Sequence, residues 1–206
     1  MRTASSAGQH RFVGIFVSVI IIAIIAVCAF SAHVARLRNT ARESLRLVSQ
    51  IQTVEDADRL MARRTDRLES YSDATSPAGD RSQKTELNNG ILAGLRIVPS
   101  SGLTIEVVTR SRNLQLLLVG FYTARSSVWI QEEFESTSRE INVRIERDPR
   151  GTPQKVLIIV PSALPDAQKR DLFEINYDCL VLPGGCKTPG EILPAFIRLE
   201  QRKAEM

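Results

Sequence analysis

The sequence predicts an α+β protein carried on one transmembrane helix, and three observations predict it. An uncharged apolar run fills residues 12–32. An amphipathic stretch without Gly or Pro follows over 33–71. Residues 87–206 then hold short runs of strand periodicity, mainly antiparallel by their short connections, and end in a helix signal.

The run FVGIFVSVIIIAIIAVCAFSA, residues 12–32, is broken only by Gly14, Ser18 and Ser31. As a helix it spans about 31 Å, the thickness of a bilayer core. It has no polar face, which a soluble surface helix would need. It also exceeds the roughly 7–15 residues of a signal-peptide apolar region. The best small-residue cleavage site, Ala29-Phe30-Ser31, is weak, and bulky Val27 spoils a lipoprotein site at Cys28. An uncleaved anchor behind a short tail, residues 1–11, is the expectation.

Two signals disagree on orientation. Arg36, Arg38, Arg42 and Arg46 follow the span, opposed only by Glu43, whereas Arg2 and Arg11 precede it. Lys/Arg bias alone puts the C-terminal side in the cytoplasm. Against this, DCLVLPGGC (178–186) holds Cys179 and Cys186 around a Pro-Gly-Gly turn. A closely spaced pair with a built-in turn fits a disulfide in an oxidising compartment. Two reduced, buried thiols are the alternative. Large domains translocate largely regardless of nearby charge. The expectation is therefore a short cytoplasmic tail, a single span and an extracytoplasmic domain.

Residues 33–71 place Val34, Leu37, Ala41, Leu45, Val48, Ile51, Val54, Ala57, Met61, Leu68 and Tyr71 at steps dominated by three and four. This is one apolar helical stripe with charges of both signs elsewhere. The steps 48–51–54–57 break a heptad, so a regular coiled coil does not follow. The stripe serves a dimer contact or packs the helix on its own domain. A homodimer through Val34, Leu37, Leu45, Val48, Ile51 and Val54 is the expectation. Residues 72–86, SDATSPAGDRSQKTE, read as a linker.

In the following domain, LTIEVVT (103–109) and INVRIER (141–147) alternate apolar and polar residues, the period of half-buried strands. LQLLLVGFY (114–122) and KVLIIV (155–160) are nearly all apolar and suit central strands or strands covered on both faces. VWIQEEFE (128–135) is a further strand. The short connections favour hairpins. A helix is expected from about Pro165. TPGE (188–191) has the form of a capping box with Pro at the first helical position, opening a C-terminal helix that Pro194 should kink.

The chemistry on offer is sparse. Both histidines, His10 and His33, lie outside residues 87–206, which removes His-based catalysis and most His/Cys metal sites from that domain. No nucleotide-binding, nucleophile-elbow or zinc-peptidase motif occurs. Glu132, Glu133 and Glu135 form a carboxylate cluster, better read as a solvated strand face than as acid/base machinery. Trp129 and Phe134 read as core before ligand platform. Arg139, Arg144, Arg147 and Arg150 read as surface charge. The net charge of +4 sits mostly near the membrane and forms no nucleic-acid-binding face, so no nucleic acid, cofactor or metal is expected. The four arginines after the span could touch anionic headgroups.

The order of short tail, span, helix and small α+β domain resembles the inner-membrane subunits of bacterial pilus and secretion machines in architecture alone. That resemblance implies a non-enzymatic interaction or assembly subunit whose partners are the lipid bilayer and other envelope membrane proteins. The alternative is a sensor or ligand-binding ectodomain acting through a partner.

Overall fold

The computed structural model describes residues 6–62, 69–77, 80–96, 100–110, 113–123, 127–133, 141–147, 149, 153–161, 164–182 and 185–204. The chain divides into two units, Met1–Leu37 and Arg38–Met206. Helix α1, Ser6–Val48, supplies all the described residues of the first unit and the first segment of the second. In the first unit Ile15, Phe16, Val19, Ile22, Ile25 and Val27 are all exposed. Water would penalise such exposure by about 1.5–3 kcal/mol per side chain. The segment is long and apolar enough to cross a bilayer, where that penalty disappears.

The second unit begins where α1 turns amphipathic. Ala41, Leu45 and Val48 are buried at helical spacing, while Asn39, Arg42, Glu43 and Arg46 face solvent. The helix stops at Val48, and Ser49 Oγ donates to the Arg46 carbonyl at 2.8 Å. Ile51 is buried in the turn that follows. A new helix α2, Val54–Ala62, then starts from a reciprocal cap. The Asp56 N–H donates to Thr53 Oγ1 at 3.1 Å, and the Asp56 carboxylate accepts from the Gln52 and Thr53 N–H groups. Partial burial raises the Asp56 pKa, but these bonds and Arg59 together hold it below the usual carboxylate value. The single helix expected over 33–71 is thus two helices followed by a strand.

The segment expected to be a linker supplies most of a hairpin. Strand β1, Glu69–Thr75, pairs antiparallel with β2, Asp80–Asn88, with Glu69 opposite Leu87 and Thr75 opposite Arg81. After β2 come the short helix α3, Gly90–Gly94, then β3, Ser101–Arg110, β4, Asn113–Thr123, and β5, Ser127–Glu133. Strands β6, Asn142–Arg147, and β7, Pro153–Pro161, complete the sheet. The order is β1-β2-β3-β4-β5-β7-β6. Every pairing is antiparallel except β5 with β7. That parallel pair is compatible with short hairpins because the whole of β6 lies in the connection between its members.

One face of the sheet carries the core. Thr85, Ile105, Val119, Ile130, Ile158 and Val143 form one row across it, and Leu87, Leu103, Phe121, Val128 and Val156 the next. Apart from half-buried Val143, these side chains are buried. Helical elements cover this face. Arg81 at its rim pairs with Asp58 of α2 at 3.5 Å. After β7 come α4, Asp166–Leu172, a single 3-10 turn, Tyr177–Leu180, α5, Pro189–Ile192, and α6, Pro194–Ala204. Ile141 shares a cavity with Leu172 and Ala195 of α4 and α6. Thr188 caps α5 by accepting from the Glu191 N–H, as the TPGE motif predicts. Pro194 does more than kink the C-terminal helix. It separates α5 from α6 and stands at the first position of the latter.

The Cys179–Cys186 disulfide is formed, with Cα atoms 4.9 Å apart. Both residues are buried. The segment it closes is tied to the sheet at two neighbouring points. Ser101 Oγ at the start of β3 donates to the Cys179 carbonyl at 3.2 Å, and Thr123 Oγ1 at the end of β4 donates to the Cys186 carbonyl at 3.3 Å. Ser101 and Thr123 are cross-strand partners. Buried Asn89 completes the join, donating to Ser101 Oγ and to the Leu180 carbonyl, both at 2.8 Å, and accepting from the Ser101 N–H.

Candidate functional site

The structure places only some of the groups singled out in the sequence. Glu132 and Glu133 end β5, while Glu135, Phe134, Arg139 and Arg150 lie outside the described residues. Among the described residues no group of three or more His, Cys, Asp or Glu is placed to hold a metal ion. Leu45, Val48 and Ile51, expected at a dimer interface, are 3%, 0% and 1% exposed within the second unit. Leu37 is buried, and Val34 and Val54 are half-buried. From Leu45 to Ile51 the stripe is therefore occupied within the second unit itself. α1 stops at Val48, and its second-unit segment lies beside α4 and the turn after it, with Arg38 paired to Asp178 and Arg42 over Tyr177.

Two surfaces remain. The first is the sheet face opposite the core. Glu86, Thr104, Gly120, Trp129, Leu157 and Arg144 cross it in one row, and Lys84, Glu106, Leu118, Gln131, Ile159 and Asn142 in the next. Val108, Leu116, Leu118, Trp129, Leu157 and Ile159 are all only half-buried, although β3, β4, β5 and β7 are interior strands. Of the two readings for 114–122 and 155–160, central strands is the one found: β4 and β7 are interior strands. Ion pairs and polar bonds edge the apolar patch on the β2 side: Lys84 meets Glu86 at 3.7 Å, and Ser82 Oγ donates to Glu106 at 2.6 Å.

Two aromatic rings are laid onto glycines of neighbouring strands. A Cβ at Gly120 would stand 2.3 Å from the Trp129 ring, and one at Gly102 would stand 2.7 Å from the Tyr122 hydroxyl. Tyr122 donates to Glu86. Burial first, and then this bond, raise the Tyr122 pKa far above its ordinary value, so the proton stays on the phenol. The expected result of Gly120→Ala is displacement of Trp129, the only tryptophan, with a red-shifted emission and a loss of about 1–3 kcal/mol. Unchanged emission would show that the ring does not lie on Gly120.

The second surface is a cavity of about 440 Å³ within the second unit. Arg38, Arg42 and Arg46 of α1 and Arg170 of α4 line it, together with Tyr177 and Asp178. The three α1 arginines recur every four residues and so share one helix face. Arg38 pairs with Asp178, and Arg46 grips Glu43 through two bonds of 2.7 and 2.9 Å. The Arg42 guanidinium lies 5.0 Å from the Tyr177 ring centroid. Burial raises the Tyr177 pKa, Arg42 pulls it down, and Glu174 adds to the rise, leaving it raised.

No protein-family model matches the chain, and no curated protein and no solved structure does either.

Proposed function

We propose that the chain is a single-pass, membrane-anchored, non-enzymatic assembly subunit of a bacterial envelope complex, with its folded domain in the periplasm. The observation that carries this reading is the open sheet face. Six large apolar side chains on interior strands are left together only half-buried, edged by charge, as on surfaces that receive another protein. The Cys179–Cys186 disulfide supports the periplasmic orientation against the arginine flank. Anchoring confines the face to a membrane plane and raises its effective concentration toward other anchored proteins. Partners are therefore envelope membrane proteins with a complementary apolar surface.

The test uses the full chain in its membrane with a photo-crosslinking side chain at Leu118. A discrete protein adduct is expected, lost on Leu157→Glu and kept when Glu200 on α6 is changed to Lys. A second variant, Leu157→Gln, should weaken the adduct without introducing a charge, and the melting temperature of both variants is followed alongside. Adducts to lipid alone, or adducts indifferent to Leu157→Glu, would sink the assembly reading.

A further inference from the structure

The arginine cavity lies on the helix-covered side of the molecule and plays no part in the open sheet face. Four guanidinium groups line it, against the carboxylates of Asp178 and Glu174. Such a gathering of like charge is unfavourable unless something negative offsets it. The existing partners offset only part of it. Asp178 takes Arg38 and Glu43 takes Arg46, while Arg42 rests on an uncharged ring. Arg38 also keeps its Nε–H buried without a hydrogen-bond partner. The pieces are held in place: Arg46 by its two-pronged bond to Glu43, Arg42 by stacking, and Asp178 by the Asn176 side chain, which accepts from its N–H at 3.1 Å. Guanidinium forks fixed in this way match the oxygens of a phosphate group.

We infer that the cavity lined by Arg38, Arg42, Arg46 and Arg170 is a binding site for a phosphate group. Arg42 and Arg170 bind the anion directly. The α1 arginines begin six residues beyond the end of the apolar run at Ala32, which makes a phospholipid headgroup one source of that phosphate and a soluble phosphate ester the other.

The experiment takes the full chain into nanodiscs of phosphatidylcholine alone or with phosphatidylglycerol added, and titrates each with inorganic phosphate while following the melting temperature. In phosphatidylcholine discs phosphate should raise the melting temperature, because an anion bound only by the folded form stabilises it. If phosphatidylglycerol itself raises the melting temperature and removes the phosphate response, the occupant is a lipid headgroup. If both disc types respond alike to phosphate, the occupant is soluble. Either result carries the site, provided that the double variant Arg42→Gln, Arg170→Gln weakens the response at least tenfold and Arg144→Gln on the open sheet face does not. Arg42 and Arg170 are both exposed, so the double variant should keep its own melting temperature within a few degrees. No response to phosphate or to phosphatidylglycerol would overturn the inference, and so would an equal loss in Arg144→Gln, which would reduce the effect to diffuse positive charge.

Discussion

Val48→Asp is expected to unfold the Arg38–Met206 unit outright. Val48 is 0% exposed, and Leu45 and Ile51 beside it in sequence are 3% and 1% exposed. A carboxylate there must ionise without a partner or stay protonated at a cost, and also leaves the space of the valine badly filled. Losses above about 4 kcal/mol come from this kind of substitution. A domain holds only about 5–15 kcal/mol in all. The cooperative thermal transition should vanish and limited proteolysis should become fast. Ile51→Asp should behave the same way. Crosslinking between copies, if the wild-type chain shows any, would disappear too, but through loss of the fold. A dimer contact in this segment has to use what faces outward, and between Arg38 and Gln50 the exposed side chains are Asn39, Arg42, Glu43, Arg46 and Gln50, all polar. If Val48→Asp instead melted like the wild type, the stripe would be free and the homodimer reading would return.

The fate of that stripe shows what a sequence can and cannot carry here. Its apolar period was correct: Ala41, Leu45, Val48, Ile51 and Ala57 are all buried. Periodicity names a face that must be covered, not the surface that covers it. The break after Val48 was hidden because no Gly or Pro marks it. The signal was the Thr53-to-Asp56 cap, a quieter cue inside a charged segment. Five strands declared themselves through period two or through unbroken apolar runs. β1 and much of β2 did not, because Ser, Asp, Thr and Lys are poor advertisements for a strand. β1 sits at the sheet edge, where polar residues guard against unwanted pairing. The parallel β5–β7 pair was also out of reach, since connection length alone does not reveal that β6 passes beyond the place β7 will take.

The two candidate surfaces were less accessible still. Arg38, Arg42 and Arg46 were visible as a membrane-proximal set, but Arg170 and Tyr177 join them only through the packing of α4 and the turn after it against α1. The apolar face needs the register of three strands before Leu116, Leu118, Trp129, Leu157 and Ile159 become neighbours. Even Trp129, read as core, turns out only half-buried because the ring lies along Gly120 instead of entering the interior.

Reducing the Cys179–Cys186 bond should lower the melting temperature without abolishing the fold. The bond closes a short loop, and the chain-entropy estimate for a separation of seven is about 2.5 kcal/mol. In a unit of this size that corresponds to a fall of roughly 5–10 °C. The fold should survive because both sulfurs are buried and a thiol packs as a small hydrophobe. The bonds from Ser101 and Thr123 to the cysteine carbonyls also do not involve the sulfurs. The double variant Cys179→Ala, Cys186→Ala should melt near the reduced protein and ignore reductant, which separates this disulfide from any effect at Cys28. The same bond reports the compartment. On intact cells, an impermeant maleimide should label neither cysteine until an impermeant reductant is added and the loop is loosened by mild warming. Labelling that instead needs permeabilisation, with a melting temperature indifferent to reductant, would mean that the pair exists as thiols in the cytoplasm. The arginines after the span would then have set the orientation, and the open face of the sheet would have to find its partner among cytosolic proteins brought to the membrane.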